Sequence, residues 1–571
     1  MFSRRHVPGW VHSAKRSRRQ RPSRRFARLH IERLEPRLFL AGIEAFHSSG
    51  QTFITWQEDT SVSGEAYNVY RHTAPITTAN LGAATLLTSH WGPIAEGSSA
   101  YDNERAWPDP SAPHPTHRNF VIQDDGPELS DTTGLFVWTT HENGTFYYAV
   151  TTVRGGVEER AIVPGQDATL VGLAETVADP APIRVHATAS GRGFVYTHFV
   201  DYSQWNPTFD GYAYNYSVAL PLGYDGSQAV PLLVYLQGWG GRYAINDGTP
   251  YDWNSIWLEV DDPRQSWYYG FNADVDYRTL DAGAAPTTGT IVNFTEQRVL
   301  RAIDEVSRRF HVNENRIHGH GSSMGGSGML SLGMRYPNVF SAVYAGLPMT
   351  DYETADGSGG SGDWRADLEP KWGTIAANLP IESRGPHAAH LATCNGTGVW
   401  DWMDHQAEAV ARRGADTAYL TFVHTMQDDV IDWETQGQPF PAALYAADIG
   451  FQGADVPGDH SWPGFEGSNE VMIGGDGGGG WGQFQFRRDM SFPAISHAAH
   501  EPPAPPPTST TQSYYYNLEI EWSVPWHDFG PLIADQPADY GITLRSTSGN
   551  QTADVTPRRL QQFVVTPGAS Y

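Results

Sequence analysis

The chain has 571 residues and carries 64 acidic against 38 basic side chains, a formal net charge of −26 that argues against a nucleic-acid partner. That length allows about three domains and a large buried core, and a single cysteine, Cys394, excludes an intrachain disulfide framework. No apolar run approaches the length needed to span a bilayer.

The positive charge is unevenly placed. Twelve Lys and Arg fall between positions 4 and 37, opposed only by Glu32 and Glu35. Residues 1–42 are therefore read as a basic targeting or disordered segment, and they lack the apolar stretch of an ordinary secretory leader. Next, residues 51–56, 67–71 and 146–153 are rich in aromatic and β-branched side chains, and Asn143 with Gly144 supplies turn chemistry. Residues 43–165 are therefore read as a β-rich segment, and residues 166–210 as a connecting β segment.

Residues 211–500 read as an α/β domain with a mostly parallel sheet. An apolar strand at 230–236 empties into a turn containing Gly238, Gly240 and Gly241, where backbone N–H groups can face a developing oxyanion. Asn293 and Glu296 have capping-box spacing, and Val299, Ile303, Val306 and Phe310 then recur on one helical face. A turn at 313–315, a short strand at 316–318, a helix at 324–335 stopped before Pro337, and a strand at 341–346 complete the alternation of a sheet covered on both faces.

Between that strand and helix, Gly321, Ser322, Ser323, Met324 and Gly325 form a G-x-S-x-G box. A nucleophile on a tight strand-to-helix turn needs glycine on both sides, because a Cβ there would meet neighbouring backbone. Ser322 and Ser327 lack that flanking, so Ser323 is the candidate nucleophile. Such a serine needs a base, a group to orient the base, and oxyanion donors. After a strand at 418–423, Asp428 is the candidate orienting carboxylate, ahead of Asp429 and Asp432. His460, on a loop bounded by Gly458, Pro463 and Gly464, is the candidate base, while His318 and His320 beside the elbow are expected to pack or support. Glycine- and aspartate-rich stretches at 356–363 and 474–480 lack EF-hand spacing, so flexible rim loops are expected and neither metal nor cofactor. Residues 501–512 form a proline-rich linker, and 513–571 a small β-rich module.

Four motifs within residues 214–488 resemble the α/β-hydrolases, in particular secreted esterases related to polyhydroxybutyrate depolymerases and feruloyl or acetylxylan esterases. They are the glycine turn from Leu236 to Gly241, the serine box, the Asp428 turn, and the Gly-Asp-His-Ser-Trp-Pro-Gly loop at 458–464. The resemblance implies Ser323 as nucleophile, His460 as base and acid, Asp428 as orienter, the N–H groups of Trp239 and Met324 as oxyanion hole, and Trp462 against the substrate. Two positions depart from the family's pattern. Gln237 stands where histidine is more usual, and Thr425 where glycine is usual before the acid.

The strands at 51–56, 67–71 and 146–153 resemble those of a fibronectin type III domain, which implies a β-sandwich over residues 43–165 with an insertion between His72 and Leu135. Residues 34–41 resemble the LEPR-x-L-L sorting motif of planctomycete surface or secreted proteins, with Phe39 and Leu40 at the paired leucines. Together these imply a secreted or cell-surface serine esterase acting on a polymeric or polysaccharide-linked ester. A serine peptidase of the prolyl-oligopeptidase type and a non-catalytic adhesion or carbohydrate-binding protein are the rival readings.

Overall fold

The structure, a computed structural model, describes residues 42–59, 63–89, 92–99, 119–201, 203, 213–249, 254–275, 283–357, 362–461, 486–498, 511–517, 519–524 and 529–566. Trp462, the 474–480 stretch and the basic head through residue 41 lie outside these.

Near the N-terminus, strands β1 (Glu44–Ser48), β2 (Gln51–Gln57) and β4 (Thr133–Thr139) pair antiparallel in one sheet. Strands β3 (Ala66–His72) and β5 (Gly144–Arg154) pair antiparallel in another. Asn143 and Gly144 thus join strands of different sheets rather than closing a hairpin. Ile54, Trp56, Tyr67, Val69, Phe136 and Tyr148 share one core with Phe271, Val292 and Phe294, so these sheets pack directly on the following region. Between β3 and β4, two-residue strands at Thr85–Leu86 and Ile94–Ala95 extend the edge of β3.

Among the described residues, ten strands form the main sheet. In chain order they are β6 (Ile183–Ala187), β7 (Gly193–Phe199), β8 (Ala213–Ala219), β9 (Val230–Leu236), β10 (Ile256–Val260), β11 (Val312–Ser322), β12 (Ala342–Gly346), β13 (Tyr419–Thr425), β14 (Phe451–Val456) and β15 (Tyr514–Tyr516). Their spatial order is β6, β7, β8, β10, β9, β11, β12, β13, β14, β15. The six strands from β10 to β14 run parallel, and the outer ones are antiparallel. Residues 166–210, expected as a connecting β segment, supply two of these strands and so belong to the main sheet. The first strand of the expected C-terminal module closes the far edge, and Phe492–Ser496 pairs with Asp554–Arg558. Main-chain hydrogen bonding decides both outcomes, since an open sheet edge takes up any extended segment in reach.

Helices α1 (Phe294–Arg309) and α2 (Met324–Arg335) pack against the central strands. Asn293 does not cap α1 through its side chain. Glu296 instead accepts from Arg335 Nη1 (3.0 Å) and Tyr336 Oη (2.7 Å), because a buried guanidinium competes more strongly for a carboxylate than a helix terminus does. Two further helices, α3 (Trp364–Trp372) and α4 (His405–Ala411), lie between β12 and β13, and α5 (Phe440–Ala446) lies between β13 and β14; Leu368, Ala409 and Leu444 on them share one core with α1 and α2. No helix among the described residues is long and apolar enough to cross a membrane.

Arg335, at the end of α2, is fully buried. It donates to Glu408 (3.0 and 3.2 Å), Glu296 and the carbonyl of Trp402 (2.7 Å). Burial alone would raise the Glu408 carboxyl; Arg335, His405 and Arg412 hold it well below the usual range. Removing one partner of such a cluster strands a charge. Arg335→Ala is therefore expected to destabilise the fold by about 3–5 kcal/mol in denaturant titration. A loss below about 1 kcal/mol would mean the two glutamates find water.

Candidate active site

The local fold at Ser323 follows from its glycines. The serine has φ 57° and ψ −125°, a strained backbone for a residue with a Cβ. A Cβ on Gly321 would stand 2.3 Å from the Gly325 carbonyl oxygen, and one on Gly325 would stand 2.1 Å from that of Leu236. Only hydrogen fits at either position, so β11, β9 and the start of α2 close into a tight elbow. The Ser323 N–H donates to Gly346 O (2.8 Å) and Ser327 Oγ donates to Ser323 O (2.9 Å), which fixes the elbow on both sides.

The structure brings Ser323, His460 and Asp428 together. Ser323 Oγ lies 3.0 Å from His460 Nε2, and His460 Nδ1 lies 2.7 and 2.8 Å from the two Asp428 oxygens. A carboxylate can only accept, so Nδ1 carries the hydrogen and Nε2 faces the serine as acceptor. Asp428 Oδ1 also accepts from the backbone N–H groups of Val430 (2.8 Å) and Ile431 (2.9 Å), so the carboxylate cannot rotate freely. Asp429 is exposed, and Asp432 accepts from Thr435 N (2.9 Å) inside its own turn. Neither meets His460.

The loop after β9 sits over the elbow. A Cβ on Gly238 would be in ordinary contact with Ser322 O (3.6 Å) and Ser323 Cβ (3.9 Å), so this position lies directly against the elbow. Trp239 follows, with its ring 45% exposed and in edge contact with Trp364 (centroids 5.9 Å apart). Trp364 Nε1 donates to Val430 O (2.7 Å), tying this aromatic rim to the acid turn. Met324 opens α2, where the first N–H groups have no intrahelical acceptor.

Gln237, the first departure from the family pattern, holds that loop through a carboxylate the sequence reading missed. Glu259 on β10 is buried and accepts from Gln237 Nε2 (2.9 Å), Trp257 Nε1 (2.7 Å), Asn246 Nδ2 (2.8 Å) and Ala244 N (2.6 Å). Burial raises its carboxyl pKa against these donors. The signal was available: an acid inside the apolar run Ile256–Val260 must be paired if that strand is central. Tyr268 Oη adds a second restraint, donating toward Gln237 O (3.0 Å) and Val260 O (3.1 Å).

The elbow histidines do other work. His320 is stacked between Tyr235 (5.3 Å) and Tyr344 (5.1 Å), and Tyr235 stacks in turn on Trp257 (5.3 Å), a ladder across β10, β9, β11 and β12. Burial pushes the His320 imidazole down to about 3. His318 is likewise driven to about 3 by burial, its Nε2 2.9 Å from Phe486 O. Each is a buried, packed ring.

A second serine, histidine and acid set lies deeper. Ser331 Oγ is 2.8 Å from His405 Nε2, and His405 Nδ1 is 3.0 Å from Glu408 Oε2. All three side chains are buried, and Arg335 saturates the glutamate. This set couples α2 to α4. The comparison isolates access as what separates the two: His460 keeps 17% of its side-chain surface exposed above the serine, and His405 none. Among the described residues no group of three or more His, Cys, Asp or Glu side chains is placed to hold a metal ion.

No protein-family model matches the sequence, and no curated protein does. Among solved structures the chain is similar to an S-formylglutathione hydrolase from Agrobacterium tumefaciens at 14% identity and a TM-score of 0.33, covering 49% of this chain and 92% of that one. It is similar to the S-formylglutathione hydrolase of Staphylococcus aureus at 18% identity and a TM-score of 0.29, covering 45% and 89%. It is also similar to dipeptidyl peptidase 4 of Porphyromonas gingivalis at 15% identity and a TM-score of 0.30, covering 62% of this chain and 49% of that one.

Proposed function

We propose that the chain is a serine hydrolase of the α/β-hydrolase type acting on carboxylic esters. The observation that carries this reading is the relay from Ser323 Oγ to His460 Nε2 and from His460 Nδ1 to Asp428, set on a strained elbow beneath a partly exposed rim. Ser323 attacks the ester carbonyl as His460 takes its proton, and Asp428 holds the imidazole in the required tautomer. The N–H groups of Met324 and Trp239 receive the oxyanion; removing one such donor raises a barrier by about 3 kcal/mol. His460 then protonates the leaving alcohol. Water follows the same path to release the acid, with no cofactor in the cycle.

The finer reading is an extracellular enzyme for a polyester or a polysaccharide-linked ester, with Trp462 against the substrate. The sorting-like segment at 34–41, the fibronectin-like residues 43–165 and the exposed ring of Trp239 beside the nucleophile support it.

The test uses the full chain and a series of p-nitrophenyl acyl esters beside a peptide panel. Ester turnover with no peptide cleavage is expected, and His460→Ala should lower it by about 10⁴-fold. Peptide cleavage exceeding ester cleavage would transfer the assignment to a peptidase. No turnover of either would leave the non-catalytic reading standing.

A further inference from the structure

Thr425, the second departure from the family pattern, is buried at the last position of β13, three residues before the orienting acid. Its Oγ1 donates to the carbonyl oxygen of Asp459 at 2.7 Å, and Asp459 is the residue immediately before the base. Nearby contacts run the same way. Met426 N donates to Val456 O (2.9 Å), Gln427 N to Gly458 O (2.8 Å), and Gln427 Oε1 accepts from Gly458 N. The acid turn and the histidine loop are therefore zipped together by three contacts from Met426 and Gln427, and the Thr425 hydroxyl makes the last one before His460.

Gly458 shows how the loop is built to reach that hydroxyl. It has φ 147°, and a Cβ there would stand 3.3 Å from Thr425 Cγ2, so the glycine lets the loop lie flat against the threonine. Beyond residue 459 the imidazole makes its polar contacts only with Asp428 and Ser323 among the described residues. The direction of the Asp459 peptide sets where the His460 Cα points. A 1 Å displacement there moves Nε2 out of reach of a 3.0 Å hydrogen bond.

From this geometry we infer that Thr425 is a positioning residue for the reaction: its hydroxyl latches the peptide preceding His460 and thereby holds the base over Ser323. The inference rests on the serine hydrolase reading above. A glycine at 425, as in the family pattern, has no hydroxyl and leaves this contact unmade; the threonine makes the histidine loop part of the sheet edge.

The experiment compares Thr425→Val, which keeps shape and burial without the hydroxyl, with Thr425→Ser, which keeps the hydroxyl. Active sites are counted by stoichiometric labelling of Ser323 with an organophosphonate, and p-nitrophenyl acetate turnover is expressed per labelled site. Thr425→Val is expected to lower kcat about 10-fold with KM within twofold of the parent, and to slow the labelling rate to a similar degree. Thr425→Ser should recover most of both. Turnover per site in Thr425→Val equal to the parent overturns the latch, and so does an equal loss in Thr425→Ser. If Thr425→Val does not fold, Thr425→Ala against Thr425→Ser gives the same contrast. The two levels separate cleanly, since undiminished turnover in Ser323→Ala refutes the nucleophile itself, whereas a dead Ser323→Ala beside a fully active Thr425→Val refutes the latch alone.

Discussion

Ser323→Ala should lower ester turnover by about 10⁴ to 10⁶-fold while leaving the circular dichroism spectrum and the melting temperature close to the parent's. The size follows from the arrangement: with Oγ gone, His460 has no proton to take and the acyl group no acceptor. The fold should survive because Ser323 Oγ makes its hydrogen bond to His460, while the elbow is held by the serine's backbone and by Gly321 and Gly325. Ser323→Gly sharpens the test. It should be equally inactive yet more stable than Ser323→Ala by about 1–2 kcal/mol, because glycine adopts φ 57° without the penalty a Cβ brings. Turnover in Ser323→Ala within tenfold of the parent would refute the assignment. Equal stability of the two variants would show that the elbow stores no strain.

A second large effect is expected from acid. Burial holds His198, His318 and His320 down to about 3 and His424 to about 4, each against 6.5 as a free side chain. A depressed folded pKa means that the unfolded chain binds protons the folded chain refuses. Stability is therefore full above pH 6.5 and is lost as pH falls toward 4, at about 1.4 kcal/mol per pH unit for each ring. Asp455 opposes this. Burial raises it to about 7 from 3.8 despite a hydrogen bond from Tyr516 Oη (2.6 Å), so its contribution is full below 3.8 and lost as pH rises through 7. Burial also raises Asp261 to about 6 and pushes Glu259, Asp262 and Glu296 up, so these carboxyls offset part of the histidine contribution, and between pH 7 and pH 5 the net loss is on the order of a few kcal/mol. Thermal denaturation at pH 8, 7, 6 and 5 should show a steep fall in melting temperature on the acid side. His320→Phe, which keeps an aromatic ring between Tyr235 and Tyr344, should recover part of that fall and leave ester turnover at pH 8 intact. A flat profile from pH 7 to 5 would mean that these rings ionise in place.

The elbow at Ser323 was legible because its residues are forced. Helix α2 spans Met324–Arg335, matching the reading from sequence, since the glycine box fixes its start and Pro337 follows its end. The strand before it was read too short. Asn313, Glu314 and Asn315 suggest a turn, yet they lie within β11, which begins at Val312 beside Val230, a pairing that local propensity does not encode. The order of Ser323, Asp428 and His460 along the chain anticipated their meeting in space. What escaped were groups whose partners are main-chain atoms or distant charges: a carbonyl acceptor looks alike at every position, so nothing in the sequence tells that Thr425 reaches Asp459. Arg335, Glu296 and Glu408 are of types usually found at the surface, and only the packing of α1, α2 and α4 shows them buried together. The family pattern flagged Gln237 and Thr425 as departures. In the structure each ties down one of the loops that frame the serine.

The aromatic side chains that run inward from the rim have an optical consequence. Trp239 meets Trp364, Trp364 meets Trp267, Trp267 meets Tyr352, and Tyr352 meets Trp372, with successive ring centroids 5.3–5.9 Å apart. At such separations excitation passes from the tyrosine to the tryptophans and between neighbouring indoles, so these rings do not emit independently. Trp239 is the most solvated ring of the series and directly follows Gly238, which lies against the Ser323 elbow. Under the proposed acyl transfer, an acyl group on Ser323 is expected to change the solvent around Trp239 and so to shift part of the intrinsic fluorescence of this chain.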